Sequence, residues 1–368
     1  MKGHIGMLGD ASSVHVQRWA LEMRARGWRV SLVTARPAPP PLAQAADGQI
    51  ALPAVARPTD WLWRVGAARR ALLALRPDLV HAHYVTSYGY LAARAKNALR
   101  CPLVLSAWGS DLLVSPRRSA LIAALTRWTL GRADVLTGDS ASLLEAARTL
   151  RAGVRCELIH WGVDLARFAP VAWAGKPPAF EAVSLRNWEP NYQIPVILRA
   201  LALARALAPA RDLRLHLLGG GSQEAALRAL AEALGLREAV TFHGRLDDAG
   251  MAAVLARCKL SVSVPQSDAT SVSVLESMAC GLAVIGSDLS ANRHWLDAAA
   301  LVSALDARAL AALWADLALH EDKAQCLGQR NAGRIARDGD RKTQMDAADR
   351  LYAQLIASSA AAAPGAGR

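Results

Sequence analysis

Short runs of β-branched and leucine residues alternate with longer amphipathic stretches along almost the whole chain, in two successive series. HIGML, WRVSLVT, DLVHAH, PLVLSAW, DVLTG and CELIHW have the length and composition of buried strands. The segments between them, such as VQRWALEMRARG and SALIAALTRWTLGR, carry apolar residues at helical spacing, and Gly27 and Gly131 stand where those helices should stop. Such a rhythm specifies parallel sheets, because a parallel partner strand is reached only through a crossover connection. Over 164–178 (DLARFAPVAWAGKPP) the rhythm breaks into a Pro- and Ala-rich stretch, and a second series follows: FEAVSL, LRLHLLGGG, AVTFHG, KLSVSV and LAVIG. The expected organisation is a first domain over 1–165, a linker over 166–178 and a second domain over 179–340. A final helix over 341–357 packs back on the first domain, and a flexible low-complexity tail follows over 358–368. Both sheets should aim their strand carboxyl ends at a shared central cleft.

A chain of 368 residues suits two domains. No apolar stretch is long and clean enough to predict a transmembrane helix, and MKGHIGMLGD lacks the apolar core of a signal peptide. The five cysteines are scattered and odd in number, which predicts a reducing cytoplasm without a disulfide framework or metal knuckle. The net charge of +12 comes mostly from arginine. It implies an anionic partner, and without a nucleic-acid motif that partner is a phosphorylated substrate or a membrane surface rather than DNA or RNA. Two segments favour peripheral attachment to the inner face of the cytoplasmic membrane: Asp60–Pro77, with Trp61, Trp63, Arg64, Arg69, Arg70 and Arg76, and the PRRSALIAALTRWTLGR stretch, with Arg117, Arg118, Arg127 and Trp128.

Candidate ligand residues cluster where strands end. Gly9-Asp10-Ala11-Ser12-Ser13 follows the first strand, and Ser12 or Ser13 can cap the next helix; it is not the dinucleotide fingerprint. His81 and His83 end the DLVHAH strand, where a histidine can shuttle a proton or bind a hydroxyl. Trp108 and Asp111 follow the next strand as a sugar platform and a hydroxyl acceptor, so His83, Trp108 and Asp111 are the acceptor-side candidates. Arg186 follows the first strand of the second series, placed to neutralise a diphosphate. Gly219 opens a Gly-rich turn for close backbone approach, and Arg245-Leu246 follows a strand end suited to a flat base. Asp338-Gly339-Asp340 has the spacing of a D-x-D metal motif but no preceding strand, so a solvated turn is expected and no metal.

The densest signal is PQSDATSVSVLESMACGLAVIGSD, Pro265–Asp288. Asp268 and Glu276 stand at the two ends of a segment that opens a helix, with small residues between them, and Cys280-Gly281 closes it before an apolar strand. A helix start offers unpaired N–H groups to phosphate, and the flanking carboxylates can hold sugar or ribose hydroxyls. Phosphate plus hydroxyls describes a nucleotide sugar.

With Asp268-x7-Glu276, the Ser277-Met278-Ala279-Cys280-Gly281 helix end and the following VIGSD strand, the chain resembles the retaining glycosyltransferases of family 4, over nearly its whole length. The resemblance implies a GT-B fold of two Rossmann-like α/β domains with parallel sheets facing a central cleft. It further implies that Arg186, Asp268 and Glu276 carry catalysis. Glu276 would bind ribose, while Asp268 with Ala269, Thr270 and Ser271 would bind the donor sugar. The amides near Val272 would meet the diphosphate, with Arg186 as its cation and Leu246 near the base. Two departures stand out: RNWEPNYQIP lacks the family's lysine after the arginine, and Trp108 replaces a histidine found in many relatives. The implied reaction moves a sugar from a nucleoside diphosphate to the hydroxyl of a lipid-linked or polysaccharide acceptor in bacterial surface-glycan synthesis, with no cofactor besides the donor. An epimerase on the same fold, or a non-catalytic partner subunit, are the competing expectations.

Overall fold

The computed structural model describes residues 2–54, 60–268 and 270–362. It divides into two compact units, Met1–His160 with Thr343–Arg368, and Trp161–Lys342. In the first, seven strands form one sheet: β1 (His4–Leu8), β2 (Arg29–Thr34), β3 (Gln49–Ala51), β4 (Leu79–His83), β5 (Leu103–Ala107), β6 (Val135–Gly138) and β7 (Cys156–Leu158). Their order is β3-β2-β1-β4-β5-β6-β7, and the described pairings are parallel. Every residue of β1, β4 and β5 is buried. Helices cover both faces of a parallel sheet, so its central strands are buried throughout rather than on alternate residues, and the polar His4, His81, His83 and Ser106 are buried with them. Each buried leucine or isoleucine contributes about 1.5–3 kcal/mol.

Helix ends follow local chemistry unevenly. Gly27 takes the left-handed conformation after the helix Val14–Ala25, with φ of +89°. Gly131 remains right-handed, with φ of −70°. Arg76 and Arg100 instead carry the left-handed turn, at φ of 48° and 49°, a strain of about 1 kcal/mol each that the packed helices override.

The final helix, Arg341–Ala362, extends past Ser358, so the alanine run continues the helix rather than starting a flexible tail; residues 363–368 lie outside the described residues. It docks on the first unit. Tyr352 Oη accepts from Trp19 Nε1 at 2.8 Å and meets His81 Nδ1 at 2.6 Å, and Asp349 accepts from Trp28 Nε1 at 2.7 Å and Lys2 Nζ at 2.6 Å.

The second unit holds β8 (Phe180–Ser184), β9 (Leu213–Leu218), β10 (Val240–Gly244), β11 (Leu260–Ser263), β12 (Ala283–Ser287) and β13 (Leu301–Val302), ordered β10-β9-β8-β11-β12-β13 with parallel described pairings. Residues 164–178 contain no strand, yet they are not a free connector. Phe168 is buried, and the buried Lys176 donates to the carbonyls of Ala256 (3.1 Å) and Cys258 (2.7 Å), which ties the stretch to this unit. At Asp338–Asp340, where a solvated turn was expected, Asp338 is exposed and the segment closes a π-helical stretch, Ile335–Gly339. Val163 N–H donates to Gly339 O at 2.7 Å and Arg341 N–H to Val163 O at 2.9 Å, so the segments by which the chain enters and leaves the unit are paired.

Both sheets are doubly wound. The strand order reverses between β1 and β4 in the first unit and between β8 and β11 in the second. Crevices at the carboxyl ends of such switch points are where open α/β sheets bind ligands.

Candidate active site

The second unit's switch point gathers the residues that the sequence spread over ninety positions. Arg186 follows β8 and the 265–271 loop follows β11, so adjacent strands deliver them to one crevice. The Arg186 guanidinium, 8% exposed, donates from Nη2 to Asp268 Oδ2 at 2.6 Å and from Nη1 to Ser271 Oγ at 2.5 Å and Ser273 Oγ at 3.1 Å. Its face lies over the Tyr192 ring at 4.4 Å. Ser271 is the N-cap of the helix Val272–Ala279 and accepts from Val274 N–H at 3.4 Å. A guanidinium therefore sits beside a helix start, which itself carries a partial positive charge. Two positive features stand side by side, with Asp268 bonded to the guanidinium, and the arrangement suits a ligand with more than one negative charge.

Glu276 is buried on this helix, one turn after Val272 on the same face. Thr270 is buried beside the N-cap; Ala269 lies outside the described residues. Gly281 closes the helix with φ of +73°, as its sequence position implies.

Gly219 shapes the crevice floor, at φ of +143° and with an added Cβ falling 2.5 Å from the Arg186 carbonyl oxygen. A side chain there would collide with the backbone that carries the guanidinium. The neighbouring loop is stitched by Trp188 N–H to Gly220 O (3.1 Å) and by Ser222 N–H and Oγ–H to Glu189 (2.8 and 2.6 Å). Arg245 is exposed next to Gly220, and Leu246 is 40% exposed.

Ser12, Ser13, His83, Trp108 and Asp111 belong to the first unit and its own switch point. Ser12 turns back on Asp10, donating N–H at 3.0 Å and Oγ–H at 2.6 Å. Ser13 takes the N-cap position but makes no side-chain capping bond; its Oγ meets Tyr84 Oη at 3.4 Å. Tyr84 itself holds a left-handed backbone, φ 69°, directly after β4, a strained conformation of the kind that gathers at functional sites.

The histidine and aspartate differ from their expected roles. Trp108 Nε1–H donates to His83 Nδ1 at 3.2 Å. An indole N–H only donates, so the Nδ1 lone pair of His83 is spent and the proton resides on Nε2. That ring is fully buried, and burial pushes its pKa well below the ordinary value; it is a neutral ring held by Trp108, not a proton shuttle. Asp111, 2% exposed, accepts from the backbone N–H groups of Val85 (2.9 Å), Trp108 (3.1 Å) and Gly109 (3.0 Å). Its carboxylate organises the loop and is not presented to a substrate hydroxyl. Trp108 stays half-buried, with His15 stacked on it at 4.5 Å.

Three neutral histidines in one core have a pH consequence. Burial, then the Arg18 charge, lowers His15 to about 4; burial lowers His81 to about 3; and His83 is also lowered. The unfolded chain takes up these protons below about pH 6.5 while the folded chain does not, so the stability is complete above that pH and is lost on acidification. Each histidine costs up to about 1.4 kcal/mol per pH unit there. The urea midpoint should fall steeply between pH 7 and pH 5.5, before ordinary carboxylates titrate; a flat midpoint would contradict the buried neutral assignment.

Spacing gave no hint of one further cluster. Glu181, His216 and Cys258 bring ligand-type atoms within 4.8 Å of one another in the second unit. Arg257 already stands there as the cation, donating to both Glu181 oxygens at 2.6 and 2.8 Å, and His216 Nε2 meets the same carboxylate at 3.0 Å. Burial pushes the Glu181 carboxyl up, but the bonds from Arg257 and His216 outweigh it and hold it below its ordinary value.

The basic tryptophan segments are only partly surface features. Trp61 packs edge-on against Tyr88 at 4.8 Å, Arg64 is buried and donates to Pro53 O at 2.6 Å, and Trp128 contacts Tyr90 and the guanidinium groups of Arg94 and Arg132. Trp63 is 84% exposed, beside the exposed Leu62. Among the described residues no helix is long and apolar enough to cross a membrane.

The chain is two doubly wound α/β units in tandem, each with polar loops at its switch point, where sheets of this kind take their ligands. Residues 4–140 match the family model described as glycosyl transferase 4-like, and residues 182–319 match that of glycosyl transferases group 1. The chain belongs to the glycosyltransferases of GT-B fold. Among solved structures it resembles sucrose-phosphate synthase from Thermosynechococcus elongatus, at 19% identity and TM-score 0.77 over 96% of this chain and 99% of that one. It also resembles Anabaena HepE in complex with UDP-glucose, at 17% identity and TM-score 0.77 over 97% and 100%. A third is the lipopolysaccharide outer core galactosyltransferase WaaB, at 16% identity and TM-score 0.71 over 96% and 100%. A curated relative, TuaC of Bacillus subtilis (strain 168), assigned as a teichuronic acid biosynthesis glycosyltransferase, is 34% identical over 94 residues. That match spans 26% of this chain and 24% of TuaC, about a quarter of the relative's length.

Proposed function

We propose that this protein transfers a sugar from a nucleoside diphosphate sugar to an acceptor hydroxyl, with the anomeric configuration retained. The observation that carries the reading is the Arg186 guanidinium, bonded to Asp268 and to Ser271 at the start of the Val272–Ala279 helix, which also carries the buried Glu276. The diphosphate would lie on Arg186 and the first-turn amides. Glu276 would hold the ribose, and Asp268 would turn from Arg186 to the sugar hydroxyls. Arg245 and Leu246 would flank the base. In the reaction the bond from the anomeric carbon to the phosphate oxygen breaks and a bond to the acceptor oxygen forms on the same face. The acceptor's proton passes to the leaving phosphate, giving the glycoside and a nucleoside diphosphate. Negative charge grows on the leaving group, so a fixed guanidinium and helix start stabilise the transition state more than the ground state. These residues supply the charge compensation, and the transfer should survive a chelator.

The acceptor in this reading is a lipid-linked or polysaccharide intermediate of surface-glycan synthesis, consistent with what TuaC and WaaB are named for. The exposed Trp63 and Leu62, near the exposed Arg69 and Arg70, form the surface that would approach an anionic bilayer. One set of measurements tests the whole. UDP-, GDP-, ADP- and TDP-sugars are screened by thermal shift, the stabilising donor is assayed for transfer with and without EDTA, and the protein is floated with anionic and neutral vesicles. One base should raise Tm by mass action. No shift with any donor would sink the reading; flotation equal for both vesicle types would remove the membrane part alone.

A further inference from the structure

The short turn Pro190–Tyr192 follows Arg186 and touches the site twice. The Tyr192 ring supports the guanidinium at 4.4 Å. Its neighbour Asn191 is occupied differently. Asn191 Nδ2 donates to Ser267 O at 2.9 Å, Ser267 N–H donates to Asn191 Oδ1 at 3.2 Å, and Gln266 N–H donates to Asn191 O at 2.9 Å. The side-chain amide thus pairs with both backbone groups of Ser267, giving a hydrogen to its carbonyl and taking one from its N–H. Ser267 is the residue before Asp268.

We propose that Asn191 is a positioning residue for the donor sugar, holding the loop that aims Asp268. The inference rests on the glycosyl-transfer reading above. The Asp268 carboxylate is anchored by Arg186 at 2.6 Å. When a diphosphate takes the guanidinium and the carboxylate turns to sugar hydroxyls, that anchor is released. The Asn191 clamp does not involve the phosphate-binding groups and remains. It keeps the Gln266–Ser267 backbone in register while the next side chain changes partner. Pro190, with its fixed φ, makes the turn stiff, so one rigid piece sets the spacing between the cation and the sugar-binding carboxylate. A site held by such supporting bonds pays less ordering cost when ligand binds. An amide is the side chain that fits: lysine offers no acceptor, aspartate no donor, and leucine neither.

The test compares a ligand that has the sugar with one that lacks it. UDP and UDP-glucose, or the matching pair for the base selected by the thermal-shift screen, are titrated calorimetrically into wild type, Asn191→Leu, Asn191→Asp and Asn191→Lys. The nucleoside diphosphate should bind all but the lysine variant within about twofold of wild type, because Arg186 and the helix start are untouched. The sugar nucleotide should bind Asn191→Leu about tenfold more weakly, with Asn191→Asp between the two. Asn191→Lys adds a charge but loses the clamp, so its ratio of sugar-nucleotide to nucleotide affinity should fall as in Asn191→Leu. Parallel weakening of both ligands would mean a general structural role, and unchanged affinities or a lysine variant that favours the sugar nucleotide would equally overturn the proposal. A wild type that binds no sugar nucleotide is a separate result: the glycosyl-transfer reading fails and takes this inference with it.

Discussion

Arg186→Ala should lower turnover by about 10²–10³-fold, the range found when one donor to a developing negative charge is removed. The guanidinium makes three side-chain hydrogen bonds around the helix start and stacks on Tyr192, so the protein itself fixes its position. Preorganisation of this kind acts on the transition state because no reorientation is needed as charge grows. The variant should stay folded. Asp268 loses its partner, but its side chain is 22% exposed and regains water, so the urea-derived stability should drop by about 2 kcal/mol or less. Arg186→Lys keeps the charge and loses the fork that reaches Asp268 and Ser271 together, so it should recover only part of the rate. Turnover of the alanine variant within about threefold of wild type would remove Arg186 from the reaction and the proposed mechanism with it.

Gly219→Ala should show the second large effect, on stability and ligand binding together. The new Cβ would lie 2.5 Å from the Arg186 carbonyl oxygen, at φ of +143°. Neither atom belongs to a flexible side-chain end, so the backbone must move. The cost should be about 2–4 kcal/mol. The displacement falls on the segment bearing Arg186, so the Tm rise produced by the stabilising sugar nucleotide should disappear. Gly235→Ala is the control. It has a positive φ of +67° but open space around its Cβ, so it should cost about 1 kcal/mol from backbone strain alone and leave ligand stabilisation intact. If the two variants behaved alike in both measurements, the close approach of β9 to the Arg186 segment would not matter to the site.

The alternation of apolar runs and amphipathic stretches was enough to predict two parallel α/β domains, because strands buried on both faces leave a local signature. The helix over 272–279 was equally legible: Ser271 at its start and Gly281 at its end are local signals. Arg186 and Asp268 could be named from strand ends and spacing and Ser271 from the family resemblance, and they meet through bonds of 2.5–2.6 Å. Ser273 and Asn191 were missed. The S-x-S pattern at the helix start was a usable hint for Ser273. Asn191 stands in the RNWEPNYQIP stretch that departs from the family's pattern, but its role was not readable there, because its partner Ser267 lies seventy-six positions away.

Other residues show where local signals stop. Trp61, Arg64 and Trp128 have the composition of a membrane-facing helix, yet packing turns them inward. His83 and Asp111 sit at strand ends as catalytic groups do, but Trp108 Nε1 and three backbone amides occupy them. Strand and helix identity depends on nearest neighbours and burial periodicity, and the sequence by itself determined it; the strand order and helix ends such as those at Arg76 and Arg100 were set by packing. Which polar groups remain available to a ligand depends on partners distant in the chain, as with Arg257 on Glu181 or Asn191 on Ser267. A buried polar atom must be satisfied by whatever the fold brings within hydrogen-bond reach, and only the tertiary structure decided which atoms those were.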